Sequence, residues 1–260
     1  MQKEEAIKIY KRLASPVSTI IVTLLTVTVA GTVTNIINDK VSELFKGAIM
    51  FLVGMLVAYL YVNRKLAAQV QKFNKILNQN LDEEEHLRAI EYVVCYGRHQ
   101  KHRWIQNSFY LAMQLQYAMS LIANGKIKEA EEYIDSGEIN KKSNDYLVFK
   151  TRIDLDRAYT QGDAEKYMEI YEAAPKLYKK MKIHACRALL MQGKYDEAIE
   201  GLMKYTPKNK REEILCRFIL GEAHLRKGSK EEAKIHLEYV INNGKTLREK
   251  FMAEELYKEL

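Results

Sequence analysis

Gln192-Gly193-Lys194-Tyr195-Asp196-Glu197-Ala198 decides the fold, because the same stretch returns three more times in other residues. The other copies read Asn124-Gly-Lys-Ile-Lys-Glu-Ala130, Gln161-Gly-Asp-Ala-Glu-Lys-Tyr167 and Lys227-Gly-Ser-Lys-Glu-Glu-Ala233. Five residues after each glycine stands Ala130, Tyr167, Ala198 or Ala233, and four residues later Ile134, Tyr171, Leu202 or Leu237. The four glycines lie 37, 31 and 35 residues apart, a repeat of one supersecondary unit. Glycine ends one helix because it tolerates the left-handed backbone of a C-cap, and the polar residues behind it start the next helix. Upstream of the turns the apolar residues keep helical spacing, as in Phe109-Tyr-Leu-Ala-Met-Gln-Leu-Gln-Tyr-Ala-Met-Ser-Leu-Ile122. Strand-like alternation is missing after residue 64 and the chain has only three prolines, so the fold class expected is all-α.

These units resemble the tetratricopeptide repeat (TPR) family, whose signature sets a Leu-Gly pair in the first helix and A-x3-F in the second over about 34 residues. Leu220-Gly221, Gly228 and Ala233-x3-Leu237 match best. The third unit carries Cys186 where the first-helix glycine would sit, the first carries Ala118, and the second carries Leu155, with Tyr167 for the alanine. No unit has the signature Trp or closing Pro in register, and the resemblance covers roughly residues 108–244. Other α-hairpin solenoids remain open on the same pattern. Residues 82–106 are expected to start the stack and Thr246–Leu260 to cap it, within a repeat domain spanning 107–260.

The resemblance implies a concave groove that binds a protein or peptide. Positions 10, 6 and 2 residues before each turn glycine would face it: Leu115, Met119 and Ala123; Arg152, Asp156 and Thr160; Ile183, Arg187 and Met191; Phe218, Glu222 and Arg226, with Tyr159 beside them. Three of these units contribute an arginine, and a planar guanidinium suits a carboxylate, so the expected ligand is a peptide with an acidic group or free C-terminus and an apolar anchor. The alternative is that Asp156 and Glu222 simply pair with those arginines.

The N-terminal part reads differently. Val17–Ile37 is a run of 21 uncharged residues and Gly47–Val62 a second of 16, and about 20 apolar residues cross a bilayer as a helix. A transmembrane helical hairpin over residues 16–64 is therefore expected, between a cytoplasmic segment 1–15 and a basic juxtamembrane linker with starting helices, 65–106. A cleaved signal peptide is the other reading of the first run. Thr19, Thr23, Thr26 and Ala30 on one helix and Gly47, Gly54 and Ala58 on the other form small faces suited to close packing within the hairpin or to a homodimer. Residues 1–12 carry +2 and residues 63–81 carry +4, whereas Asn38–Lys46 is neutral. The positive-inside rule then gives a multi-pass protein of the cell membrane, with membrane lipid around the hairpin and the repeats in the cytoplasm.

Of the net charge of +7, only +1 belongs to residues 82–260, which argues against nucleic acid as a partner. Cys95, Cys186 and Cys216 are far apart and make no disulfide framework. His99 and His102 share a helical spacing but sit among Arg98, Lys101 and Arg103, so no metal site is expected. The chain contains no phosphate-binding loop, nucleophile elbow or HExxH, so neither catalytic residues nor a cofactor are assigned. The function expected is a membrane-anchored scaffold or adaptor for a cytoplasmic partner; the alternative is a regulatory or accessory subunit of a membrane transport or enzyme complex.

Overall fold

The computed structural model describes residues 1–13, 43–100, 104–136, 144–176 and 182–260. Among them are twelve helices and no strand: α1 Lys3–Leu13, α2 Glu43–Asn78, α3 Glu83–Arg98, α4 Trp104–Ala123, α5 Ile127–Asp135, α6 Asn144–Thr160, α7 Ala164–Ala173, α8 Lys182–Met191, α9 Tyr195–Met203, α10 Lys210–Lys227, α11 Lys230–Asn243 and α12 Arg248–Tyr257. The all-α reading holds, and the chain is a helical repeat over its C-terminal part.

Among the described residues no helix is long and apolar enough to cross a membrane. This overturns the transmembrane hairpin, and with it the multi-pass placement in the cell membrane. The second apolar run, Gly47–Val62, is not a span bounded by helix ends. It is the first half of α2, which continues for another four turns through Arg64, Lys65, Lys72 and Lys75 and then buries Phe73, Ile76 and Leu77. Its 16 uncharged residues also fall short of the length of about 20 that a bilayer core requires. The basic start of the expected linker and starting helices, 65–106, is thus a continuation of α2 as far as Asn78. The first run, with Thr19, Thr23, Thr26 and Ala30, lies outside the described residues. Gly47 and Ala58 are placed within α2, and Gly54 there is buried.

The chain divides into two compact units. The first, residues 1–73 and 92–113, gathers Ile9, Tyr10, Phe73, Val93, Phe109 and Met113. Tyr10 meets Tyr96 edge-on at 5.6 Å, and Phe73 lies 6.2 Å from Phe109. Gly97 belongs to this core because a Cβ there would stand 2.4 Å from the Tyr110 ring.

The second unit, residues 74–91 and 114–260, holds the repeat array. Its turns are those the sequence predicts: Gly125, Gly162, Gly193 and Gly228 have φ of 74°, 68°, 75° and 90°, a conformation costly for any other residue. The residues five and nine places on form the seam within each pair. Ala130, Tyr167, Ala198 and Ala233 are at most 1% exposed, as are Ile134 and Leu237. The fourth pair crosses closely, and a Cβ on Gly221 would lie 2.7 Å from Leu237 Cδ2. Cys186 occupies the equivalent place in the third pair, and its Sγ is received by Gly201 of α9, where a Cβ would come within 2.8 Å. The small residue has moved to the opposite helix. From α5 to α12 each helix packs on the next, and α10 also packs on α8 and α12, as stacked hairpins require.

Candidate functional site

The first helices of the pairs, α6, α8 and α10, followed by α12, present turn-spaced side chains to one face of the second unit. At its middle Arg187 donates from Nη1 to Asp156 Oδ1 at 3.4 Å, while its guanidinium carbon lies 4.0 Å from the centre of the Tyr159 ring. Asp156 and Tyr159 are three apart on α6 and so share a side of it. The Tyr159 hydroxyl donates to Glu222 Oε2 on α10. Asp156, Arg187 and Glu222 are each less than a tenth exposed, so this is a buried polar bar across three pairs. Burial, reinforced by Glu222, pushes the Tyr159 phenol well above its usual range. Burial works against the charge of Arg187, but Tyr159 and Asp156 outweigh it and the guanidinium holds its proton more firmly than usual.

At one end of the bar the face meets the chain's own residues 77–86. Leu81 has φ 59°, which turns the chain out of α2, and Asp82 Oδ1 accepts from the Glu85 N–H at 2.8 Å to start α3. Leu77 and Leu81 join the array's core with Leu155, Ile183 and Ile214. The Glu83 N–H donates to Thr246 Oγ1 at 3.0 Å, and the Thr246 hydroxyl donates to the Leu81 carbonyl at 3.2 Å. Glu83 Oε2 accepts from the Arg248 N–H at 3.1 Å, and Arg211 Nη2 lies 3.7 Å from Glu83 Oε1.

Glu83 is 1% exposed. Burial, and then the nearby Glu249, push its carboxyl up to about 8 against the pull of Arg211 and the Arg248 N–H. His86, with Nδ1 3.0 Å from Ser120 Oγ, is pulled down to about 3 by burial and Arg211. His184 is pulled to about 3 by burial, Arg152 and Arg187. Both imidazoles are neutral near neutral pH.

The bar separates two cavities with no lining residue in common. One, of about 640 Å³, brings together Tyr159, Phe218, Glu222 and Arg226 with Leu190, Met191, Met252 and Leu256. The other, of about 360 Å³, holds Arg152 and Ile183 with His184, Arg211 and Glu249. The residues expected to share a groove are therefore divided: Asp156 and Arg187 are in the bar, and Leu115, buried on α4, and Met119, half-buried there, line neither cavity. Arg187 is committed to intramolecular partners. His99 is exposed, and His102 and Arg103 lie outside the described residues.

Sequence reasoning missed Glu83, His184, Arg211 and Glu249. Arg211 stands seven residues before Phe218, two helical turns on the same face, so extending the groove positions one heptad would have found it. Nothing local marks the Glu83 carboxylate as part of a site, since the groups it meets, Arg211 and the Arg248 N–H, stand far along the chain. No protein-family model, curated protein or solved structure matches the chain.

Proposed function

We propose that the repeat array is a binding module, a scaffold or adaptor that takes a peptide or protein segment into the cavity at the C-terminal ends of α6, α8 and α10. The observation that carries this reading is the meeting of Tyr159, Phe218, Glu222 and Arg226 around one space of about 640 Å³ with a largely apolar floor. Phe218 is fully buried beneath it, and Glu222 is occupied by Tyr159. Arg226 is exposed and makes no ion pair among the described residues. An apolar floor beside one available guanidinium suits an apolar anchor next to an acidic group or a free C-terminus. The resemblance to tetratricopeptide repeats supports the same use of this face.

Screening the full chain against random peptides with free C-terminal carboxylates tests the reading. A common motif should emerge, and Arg226→Ala should weaken its binding by roughly tenfold, the worth of one charge-assisted contact. Lys227→Ala, next in sequence but engaged with Asp196, should leave binding unchanged. Recovery of no motif, or equal binding by Arg226→Ala, overturns it.

A further inference from the structure

We propose that the second cavity, at the N-terminal ends of α8 and α10, is a site for a small, multiply charged anion bearing phosphoryl or carboxylate groups. It lies across the bar from the peptide cavity and does not depend on that reading. Four cationic side chains line it, Arg152, Lys182, Lys208 and Arg211, against two anionic ones, Glu212 and Glu249. Glu212 is already committed, since one of its oxygens accepts from the Tyr205 hydroxyl and from the Lys208 N–H, both at 2.8 Å.

The two arginines are the central observation. Arg152 Nε is buried without a hydrogen-bond acceptor, and its nearest carboxylate, Asp156 Oδ2, stands 3.8 Å away. Arg211 is held 3.7 Å from Glu83 Oε1, also beyond hydrogen-bond reach. Burial and Glu249 push the Glu83 carboxyl up against the pull of Arg211, which makes it a weak counter-charge for that guanidinium. Each guanidinium has five donors in a rigid fork that matches carboxylate and phosphate oxygens, and buried donors are normally paired. Burial and the nearby Arg152 together make it harder for Arg211 to keep its proton. An anion between the two groups would relieve that repulsion.

The rim and the size agree with this assignment. Lys182 and Lys208 are exposed and form no ion pair among the described residues, which leaves two mobile ammonium groups at the mouth. Glu249, whose Oε2 is buried without a hydrogen-bond donor, partly offsets Arg211 through space, and the lining remains net positive. A cavity of about 360 Å³ falls within the range of small-molecule sites, about 300–1,000 Å³. Its low-dielectric walls, Ile183 and Leu215, concentrate the field of the cations. The amides of Asn78 and Asn209 add neutral donors.

The probes are pyrophosphate and citrate, titrated calorimetrically into the full chain near neutral pH, with sodium chloride at matched ionic strength as reference. At least one of the two should bind saturably, one per chain, and raise the thermal midpoint beyond the chloride reference. The double variant Lys182→Gln, Lys208→Gln changes only exposed side chains, and should bind about tenfold or more weakly. Arg211→Gln should lose binding further. Arg226→Ala, in the other cavity, should bind the anion as the native chain does, so failure of the peptide reading and failure of this one are told apart. Chloride reproducing the whole effect, or the double lysine variant binding as tightly as the native chain, overturns the proposal.

Discussion

The seam inside each helical pair and the face formed by the first helices are built on opposite plans. In the seam, contacts are apolar, local and repeated: a left-handed glycine, then a small or aromatic residue five places on, then a larger one at nine. On the face, contacts are polar, buried and singular, and tie α6 to α8, α6 to α10, and residues 81–83 to 246–248. Seam residues set how tightly two helices cross. Face residues set which elements, distant in sequence, share one site. Local repetition therefore made the architecture, and departures from the repeat made its chemistry.

The largest expected effect breaks the face. Arg187→Ala takes from buried Asp156 the nearer of its two cations, leaving only Arg152 Nε at 3.8 Å, and strips the Tyr159 ring of its guanidinium, so it should cost about 3–5 kcal/mol. In thermal unfolding that is a fall of roughly 6–20 °C. A drop of a degree or two would show that the bar contributes no more than an exposed ion pair. Next, Gly221→Val tests the seam at the close crossing of the fourth pair. The added Cβ would meet Leu237 Cδ2 at 2.7 Å, and overpacking of this kind costs about 1–3 kcal/mol. A neutral outcome would mean that the fourth pair can open without loss.

The smallest effect per step comes from pH. The Glu83 carboxyl, at about 8 in the folded chain against an ordinary 4.5, keeps its proton more firmly when folded. That contribution to stability is complete below the ordinary value and is lost as pH rises through about 8. Compared with Glu83→Gln, the native chain should lose stability between those limits by at most about 1.4 kcal/mol per pH unit. Below the ordinary value the two midpoints should run parallel. His86 and His184, both held near 3, destabilise the fold as pH falls below the ordinary histidine range, equally in both proteins. Midpoint curves that stay parallel throughout would show that Glu83 titrates as an ordinary carboxyl.

The seam was legible in the sequence because its physics is local. A residue with φ near +75° must be glycine or pay for it, and helical periodicity places the next small residue five positions on, so the four turns and Ala130, Ala198 and Ala233 could be read directly. Cys186 shows the limit: the sequence displays a misplaced bulky residue, and only the packing reveals that Gly201 receives it. The face was legible in membership and not in grouping. Arg152, Asp156, Arg187, Glu222 and Arg226 were named through the resemblance to tetratricopeptide repeats, but a position along one helix does not say which side chains on neighbouring helices meet. The apolar run Gly47–Val62 misled for a related reason. A hydropathy window ends where charge begins, whereas α2 ends sixteen residues later at Asn78, because a helix is terminated by backbone geometry and not by polarity.

A stack of hairpins that touch only their neighbours folds from any point and frays from either end, one unit at a time. The hydrogen bonds from Glu83 to Thr246, from Thr246 to Leu81 and from Arg248 to Glu83 change that behaviour, since they span 163 and 165 residues of sequence. The C-terminal helix α12 cannot peel away without breaking its entry, Thr246 and Arg248, from residues 81–83. Such a clasp is late to form, because contacts of large sequence separation require a long loop to close and slow the rate-limiting step of folding. Once shut, it makes the array lose its structure as a single cooperative event, with the kinetics of a closed ring rather than of an open ladder.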